Sequence, residues 1–204
     1  MTNWRDVFAS TGGRFGDHLC QMFPWQSIQG VEIGTGVASH TVRMLRNHPG
    51  LHLSTVDAFG MFNPSYRKEI SKRARMMANH KRALRVMSRA RQALMPFGNR
   101  VVLIQALSPD VAVRFLHGSL DFAYIDGNHI GPAVEADIQA WLPRIRTGGY
   151  IAGHDYTRRF WPGLCDAVDR LAARLKTTVL VKRGANPGGP EWVIGPIKVQ
   201  HADQ

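Results

Sequence analysis

The sequence predicts an α/β fold: one domain whose mostly parallel sheet carries helices on both faces. Short apolar runs rich in Val and Ile alternate with stretches of helical periodicity, and there is no internal repeat or low-complexity tract. A chain of 204 residues that is 44% hydrophobic is long enough for one sizeable core and short for two.

Seven runs read as strands: Gly30 to Ile33, Leu51 to Val56, Val101 to Gln105, Phe122 to Asp126, Tyr150 to Gly153, Val179 to Val181 and Trp192 to Ile194. The first four are nearly all apolar, as buried parallel strands are. Helices are expected over Ala38 to Asn47, within Ser65 to Leu94, and over Pro109 to Leu116, Pro132 to Ile145 and Leu164 to Leu175. Asn63 before Pro64 reads as a cap and first-turn pair for the long helix, which Pro96 and Gly98 stop. Residues 1–27 are expected to add covering helices, 63–98 a basic helical insertion, and 198–204 a frayed tail.

Cys20 and Cys165 stand far apart, which excludes a disulfide-dense scaffold and any CxxC site and fits a reduced, cytoplasmic setting. Arg5, Asp6, Arg14 and Asp17 interrupt any signal-like apolar stretch, and no run approaches the 18 apolar residues of a membrane span. A soluble protein without a membrane partner is expected.

Val31-Glu32-Ile33-Gly34-Thr35-Gly36 is a strand running into a glycine turn ahead of a helix. Glycines there let a ligand approach the backbone, and the helix N-terminus offers free N–H donors, so a nucleotide-like ligand is expected. Asp57 closes the next strand about twenty residues on, where such folds bind ribose hydroxyls. A dinucleotide dehydrogenase is the rival reading. Ser39 at the third glycine position and Glu32 within the strand favour S-adenosylmethionine (SAM) over NAD.

The second signal is Ile125-Asp126-Gly127-Asn128-His129, answered by Gly148-Gly149-Tyr150-Ile151-Ala152-Gly153-His154-Asp155-Tyr156. Neighbouring parallel strands end at the same edge, so Asp126, His129, His154 and Asp155 are expected to converge beside the ligand.

On these paired motifs, over roughly residues 28–182, the chain resembles the class I SAM-dependent methyltransferases, and among them the small-molecule O-methyltransferases with IDGxH and GGxIxxHDY stretches. The resemblance implies a Rossmann-like sheet of seven strands with the last antiparallel. It implies that Glu32, Gly34 and Gly36 hold the methionine part of the cofactor, that Asp57 holds the ribose, and that Gln105 to Ser108, with Ala106, flank the adenine; Asp126 also borders the cofactor. Ala38 stands where many members have another glycine. Metal-dependent relatives imply a magnesium or other divalent site at Asp126, His154 and Asp155, and a general base at His129. Magnesium prefers oxygen donors, so His154 argues for a softer ion or for none. Methyl transfer needs an aligned nucleophile and a group to take its proton, and imidazole suits that role.

Plainer roles stand beside these. Asp57 could cap the following turn, His129 could brace the turn before Pro132, and His154 could only orient Asp155. Trp141 reads as core, and Asp137 as a partner for neighbouring loop groups. Phe160 and Trp161 either line an acceptor pocket or cover the sheet edge.

The formal charge of +11 is local. Arg67 to Arg100 holds eleven cations and one acid, Glu69, leaving the rest of the chain at +1. That stretch reads as a solvated face, a lid selecting an anionic acceptor, or a nucleic-acid patch; no aromatics interleave it from Lys68 to Pro96, which argues against base stacking. The function expected is methyl transfer to a hydroxyl oxygen of a small-molecule acceptor. The alternatives are an RNA methyltransferase using the basic helix and a non-catalytic cofactor-binding module.

Overall fold

The runs of apolar residues in the middle of the chain become the middle of the sheet. The computed structural model describes residue 8 and residues 13–24, 27–60, 80–182 and 189–198. Its strands are β1 (Ile28–Ile33), β2 (Leu51–Asp57), β3 (Val101–Gln105), β4 (Leu120–Ile125), β5 (Ile145–Gly153), β6 (Leu180–Lys182) and β7 (Glu191–Ile194). They form one sheet in the order β3-β2-β1-β4-β5-β7-β6. β1 to β5 pair in parallel, and β7 enters antiparallel between β5 and β6. β4 is buried along its whole length, as a strand apolar on both faces must be at the centre of a covered sheet.

The helices are α1 (Leu19–Met22), α2 (Ser39–Asn47), α3 (His80–Leu94), α4 (Ser108–Ala112), α5 (Gly131–Trp141) and α6 (Pro162–Arg174). On one face α4, α5 and α6 set Val111, Ile138, Trp141, Leu164 and Val168 against Val31, Ala123, Ile125 and Ile151. On the other, α2, α3 and the N-terminal segment set Phe15, Leu19, Met44, Ala90 and Leu94 against Phe122, Tyr124 and Val193. Gly30 makes room there: a Cβ on it would lie 2.2 Å from the Phe122 ring. Phe15 and Phe23 meet that ring at 5.3 and 6.3 Å, each such pair adding about 0.5–1.5 kcal/mol beyond area burial.

The N-terminal segment is a 3-10 turn, Phe15–Asp17, followed by α1, held by the far end of the chain. Phe15 N donates to Glu191 Oε2 at 2.7 Å and Tyr124 Oη to Glu191 Oε1 at 2.8 Å. Lys182 Nζ donates to His18 Nε2 at 2.8 Å, and burial together with the Lys182 charge pushes the His18 pKa down, which keeps that ring a neutral acceptor.

Several boundaries differ from expectation. The helix expected over Pro109 to Leu116 ends at Ala112, and Val113 and Leu116, which extended its apolar pattern, are 73% and 79% exposed. The helix expected to Ile145 stops at Trp141; Pro143 sits in a 3-10 turn, Leu142–Arg144, and Ile145 already opens β5. β5 begins five residues before Tyr150. Its polar stretch looks like loop in sequence, yet Gly148 N donates to Ile197 O and Ile197 N to Gly149 O, both at 2.8 Å. Asp126 lies just past the last residue of β4. Of the long basic helix, α3 and the 3-10 turn Met95–Arg100 are described, with Pro96 in that turn's first residues and Gly98 at φ +54°. The Asn63–Pro64 cap pair and the rest of 61–79 lie outside the described residues, as do 199–204. Among the described residues no helix is long and apolar enough to cross a membrane.

Candidate active site

Parallel pairing brings the ends of β1, β2, β4 and β5 to one edge, and the turn after β1 sits at its centre. Gly34 has φ +96°, and a Cβ on it would lie 2.1 Å from the Asp126 carbonyl oxygen, so this glycine lets the β1 turn pass against the end of β4. Gly36 differs: at φ +52° its missing Cβ would meet nothing within 4 Å. The space in front of Gly36 is therefore open to a ligand. Ala38 caps α2 in the left-handed conformation, φ +65°, and is fully buried, which explains why glycine serves at this position in many sequences that the chain resembles.

Glu32, 1% exposed, is committed to the protein itself. Oε1 pairs with His40 Nδ1 at 2.9 Å, while Oε2 accepts from the Thr41 hydroxyl and from Thr55 Oγ1 at 3.1 Å. Its place is beneath the turn, tying β1 to the first turn of α2. The His40 ring, which no sequence motif marks, lies between Glu32 and Tyr124, with its centroid 4.2 Å from that of the tyrosine. Its buried Nε2 has no hydrogen-bond partner.

Asp57 joins the ends of β1 and β2. Gly36 N donates to Oδ2 at 2.8 Å and Phe59 N to Oδ1 at 2.7 Å, so the carboxylate does cap the following turn. Each oxygen keeps a second lone pair for a further donor. Burial raises its pKa against the lowering pull of those two N–H groups. Ala106 follows β3 alongside, its N donating to Asp57 O at 3.2 Å. Two residues on, Ser108 Oγ accepts from Trp141 Nε1 at 2.7 Å and bonds the carboxyl of Asp137, which burial pushes up to about 7. Asp137 is thus a partner of the segment after β3, as its sequence position suggested, and Trp141 is core.

The expected convergence at β4 and β5 is present. His129 Nε2 lies 3.0 Å from Asp155 Oδ2 and 3.4 Å from Asp126 Oδ1, and His154 Nδ1 is 3.4 Å from Asp155 Oδ1. Neither carboxylate lies along the ring N–H of His129, so its buried Nε2 has no aligned hydrogen bond. Burial alone would lower the His129 pKa, but the two facing carboxylates outweigh it and lift it to about 9. They raise His154 as well, against its burial, while the two histidines hold Asp155 well below the usual carboxylate range although burial opposes them. Asp155 is also strained, at φ +60°, and a Cβ on Gly189 would lie 2.5 Å from its Oδ1, so only glycine lets the chain entering β7 pass so close. The two helices beyond His129 fix its ring: α5 and α6 start in contact through Gly131 and Gly163, which brings Trp161 onto the imidazole at 5.1 Å and 29° between planes. Trp161 therefore backs the candidate base, a contact between residues too far apart in sequence to leave a local signal.

Asp126, His154 and Asp155 each offer a ligand atom, all within 4.8 Å of one another. Two carboxylates and an imidazole fit a divalent cation with mixed nitrogen and oxygen preference better than magnesium.

A family model described as a methyltransferase domain matches residues 31–156, which span the turn after β1 and the ends of β4 and β5. The chain belongs to this methyltransferase family. Solved structures agree on the fold. A cofactor-bound protein, Rv0187 from MTB, is 17% identical with TM-score 0.60, covering 93% of this chain and 84% of that one. The O-methyltransferase NovP is 19% identical with TM-score 0.60, covering 93% and 77%. The O-methyltransferase TomG from Streptomyces achromogenes, in complex with SAM, is 14% identical with TM-score 0.59, covering 95% and 89%. Among curated proteins none matches the sequence. Family and fold agree on a SAM-dependent methyltransferase, with the seven-stranded, mostly parallel sheet that the sequence implied.

Proposed function

We propose that the enzyme moves the methyl group of SAM to a hydroxyl oxygen of a small-molecule acceptor, with His129 taking the proton. The observation that carries this reading is the His129 imidazole set against Asp126 and Asp155 at the end of β4, next to the open side of the Gly36 turn. The cofactor's methionine end would occupy that open side, its ribose would donate to the free lone pairs of Asp57, and its adenine would lie by Ala106. Asp126 is shared between the two halves of the site. When bound, SAM would supply the methyl group, its sulfur–carbon bond breaking to leave a neutral thioether as the acceptor's oxygen–carbon bond forms, and His129 Nε2 would take the hydroxyl proton. Asp155 and Asp126 favour the imidazolium so formed, and Trp161 keeps the ring from turning away.

Asp126, His154 and Asp155 would hold a divalent cation, which when bound favours the alkoxide form of the acceptor. The names of the neighbouring O-methyltransferases support oxygen as the acceptor atom. Transfer of labelled methyl to a panel of hydroxyl and amine acceptors, run with chelator and with added divalent ions, tests both parts. Transfer to hydroxyls is expected, abolished by chelator and restored better by manganese than by magnesium. Transfer confined to amines ends the oxygen reading, and full activity in excess chelator ends the metal one.

A further inference from the structure

Elements α2, α3 and the turn Met95–Arg100 build a cation-rich flank of the molecule. They contain Arg43, Arg46, Lys81, Arg82, Arg85, Arg89, Arg91 and Arg100, with neither Asp nor Glu among them. Two of these are occupied. Arg43 pairs with Asp17, and Arg100 donates to the carbonyls of Leu45, His48 and Pro49 at the end of α2. The other six are exposed, and the remaining Arg–carboxylate pairs among the described residues involve Arg146, Arg158 and Arg170 instead.

At 100° per residue, Lys81, Arg82, Arg85 and Arg89 fall within an arc of about 100° along about 12 Å of helix. Lys81–Arg85 and Arg85–Arg89 are like-charge pairs four apart, each costing α3 about 0.2–0.5 kcal/mol. The opposite side of α3 is what anchors it, through buried Ala83, Ala90 and Leu94. The cations therefore point away from the sheet, on the exposed side of α3. A lipid surface fits less well, because the apolar side of α3 is already spent on the core.

We propose that this cation arc of α3 docks the phosphate backbone of a nucleic-acid strand, without reading its bases. Aromatic side chains are absent from the exposed arc, so stacking is not available and the contact is electrostatic. Such docking is independent of which acceptor takes the methyl group.

Anisotropy of a fluorescein-labelled oligouridylate 20-mer tests it on the full chain. Binding is expected at low salt, with log K falling against log salt at a slope of about −3, roughly 0.7 for each of four phosphates. The triple variant Arg82→Glu, Arg85→Glu, Arg89→Glu should bind at least about tenfold more weakly, and the neutral Arg→Gln triple should fall between the two. A matched control, Arg114→Glu, Arg174→Glu, Lys176→Glu, removes the same net charge from sites elsewhere on the surface and should stay close to wild type. Absence of oligouridylate binding by the wild-type chain overturns the proposal. So does an equal loss in the control, which would assign the effect to net charge alone. Vesicles of phosphatidylserine and phosphatidylcholine bound through these arginines more tightly than the oligonucleotide would assign the face to membranes and overturn it as well.

Discussion

The two halves of the carboxyl edge are finished to different degrees. Around the turn after β1 the carboxylates are satisfied within the protein: Glu32 by His40, Thr41 and Thr55, and Asp57 by the backbone of Gly36 and Phe59. At the ends of β4 and β5, two carboxylates and two imidazoles crowd together around a buried nitrogen with no aligned partner. A half whose carboxylates are already satisfied suits the ends of the cofactor that make and break no bonds. A half held together by charge, with its proton placement responsive to neighbours, is where a proton can move.

Replacing His129 strikes the responsive half and carries the largest effect. His129→Ala should lower turnover by about 10²–10⁴-fold, the usual worth of a positioned base, while calorimetry finds SAM affinity little changed. Unaltered turnover would remove His129 as the base. The pH dependence has a definite sign. With the folded pKa raised to about 9, the metal-free protein holds His129 as imidazolium at neutral pH, so in a metal-free NMR titration its ring protons should shift near pH 9 rather than near 6.5. The same shift makes His129 stabilise the fold fully below its unfolded value near 6.5, and that contribution is lost as pH rises through about 9.

Gly34→Ala attacks the satisfied half. Its Cβ would drive into the Asp126 carbonyl and take an unfavourable φ, at a cost of about 2–5 kcal/mol in denaturant unfolding. Gly36→Ala should cost the fold only the roughly 1–2 kcal/mol of its left-handed φ and weaken SAM binding; a larger fold cost than Gly34→Ala with SAM binding unchanged would undo the assignment of Gly36 to the ligand. Asp137→Asn sets a third, remote carboxyl against both. With a pKa near 7, Asp137 costs the fold stability progressively as pH rises from about 4 to 7, so the amide should raise stability at pH 8, by up to ~4 kcal/mol, and change little at pH 4. Ala38→Gly should do least, relief of a left-handed alanine offsetting a lost buried methyl, with thermal stability within about 1 kcal/mol of wild type.

Legibility followed the same division. The central strand β4 stands out in the sequence because both its faces are buried, β1 and β2 read as apolar runs broken by Gln29, Glu32, His52 and Ser54, and the convergence of Asp126, His129, His154 and Asp155 follows from parallel pairing alone. What depends on distant side chains does not stand out. His40 reads as an ordinary first-turn helix residue, since its partners are Glu32, eight residues back, and Tyr124, on another strand. The polar opening of β5 reads as loop because its hydrogen bonds come from Ile197 near the other end of the chain. At α4 the mismatch is the opposite one: Val113 and Leu116 keep a helical apolar spacing that nothing buries.

The clasp on Glu191 bears on how the chain is made. Its carboxylate ties Phe15, 176 residues earlier, and Tyr124 to a strand that slots between β5 and β6. During synthesis the N-terminal segment and most of the sheet emerge well before that strand exists, and loop closure over such a span makes the contact a late one. Until β7 is released, the nascent chain exposes the edges of β5 and β6 to water and the N-terminal segment has nowhere to lock. Of the strands of this sheet, the last to leave the ribosome is thus the one that seals it.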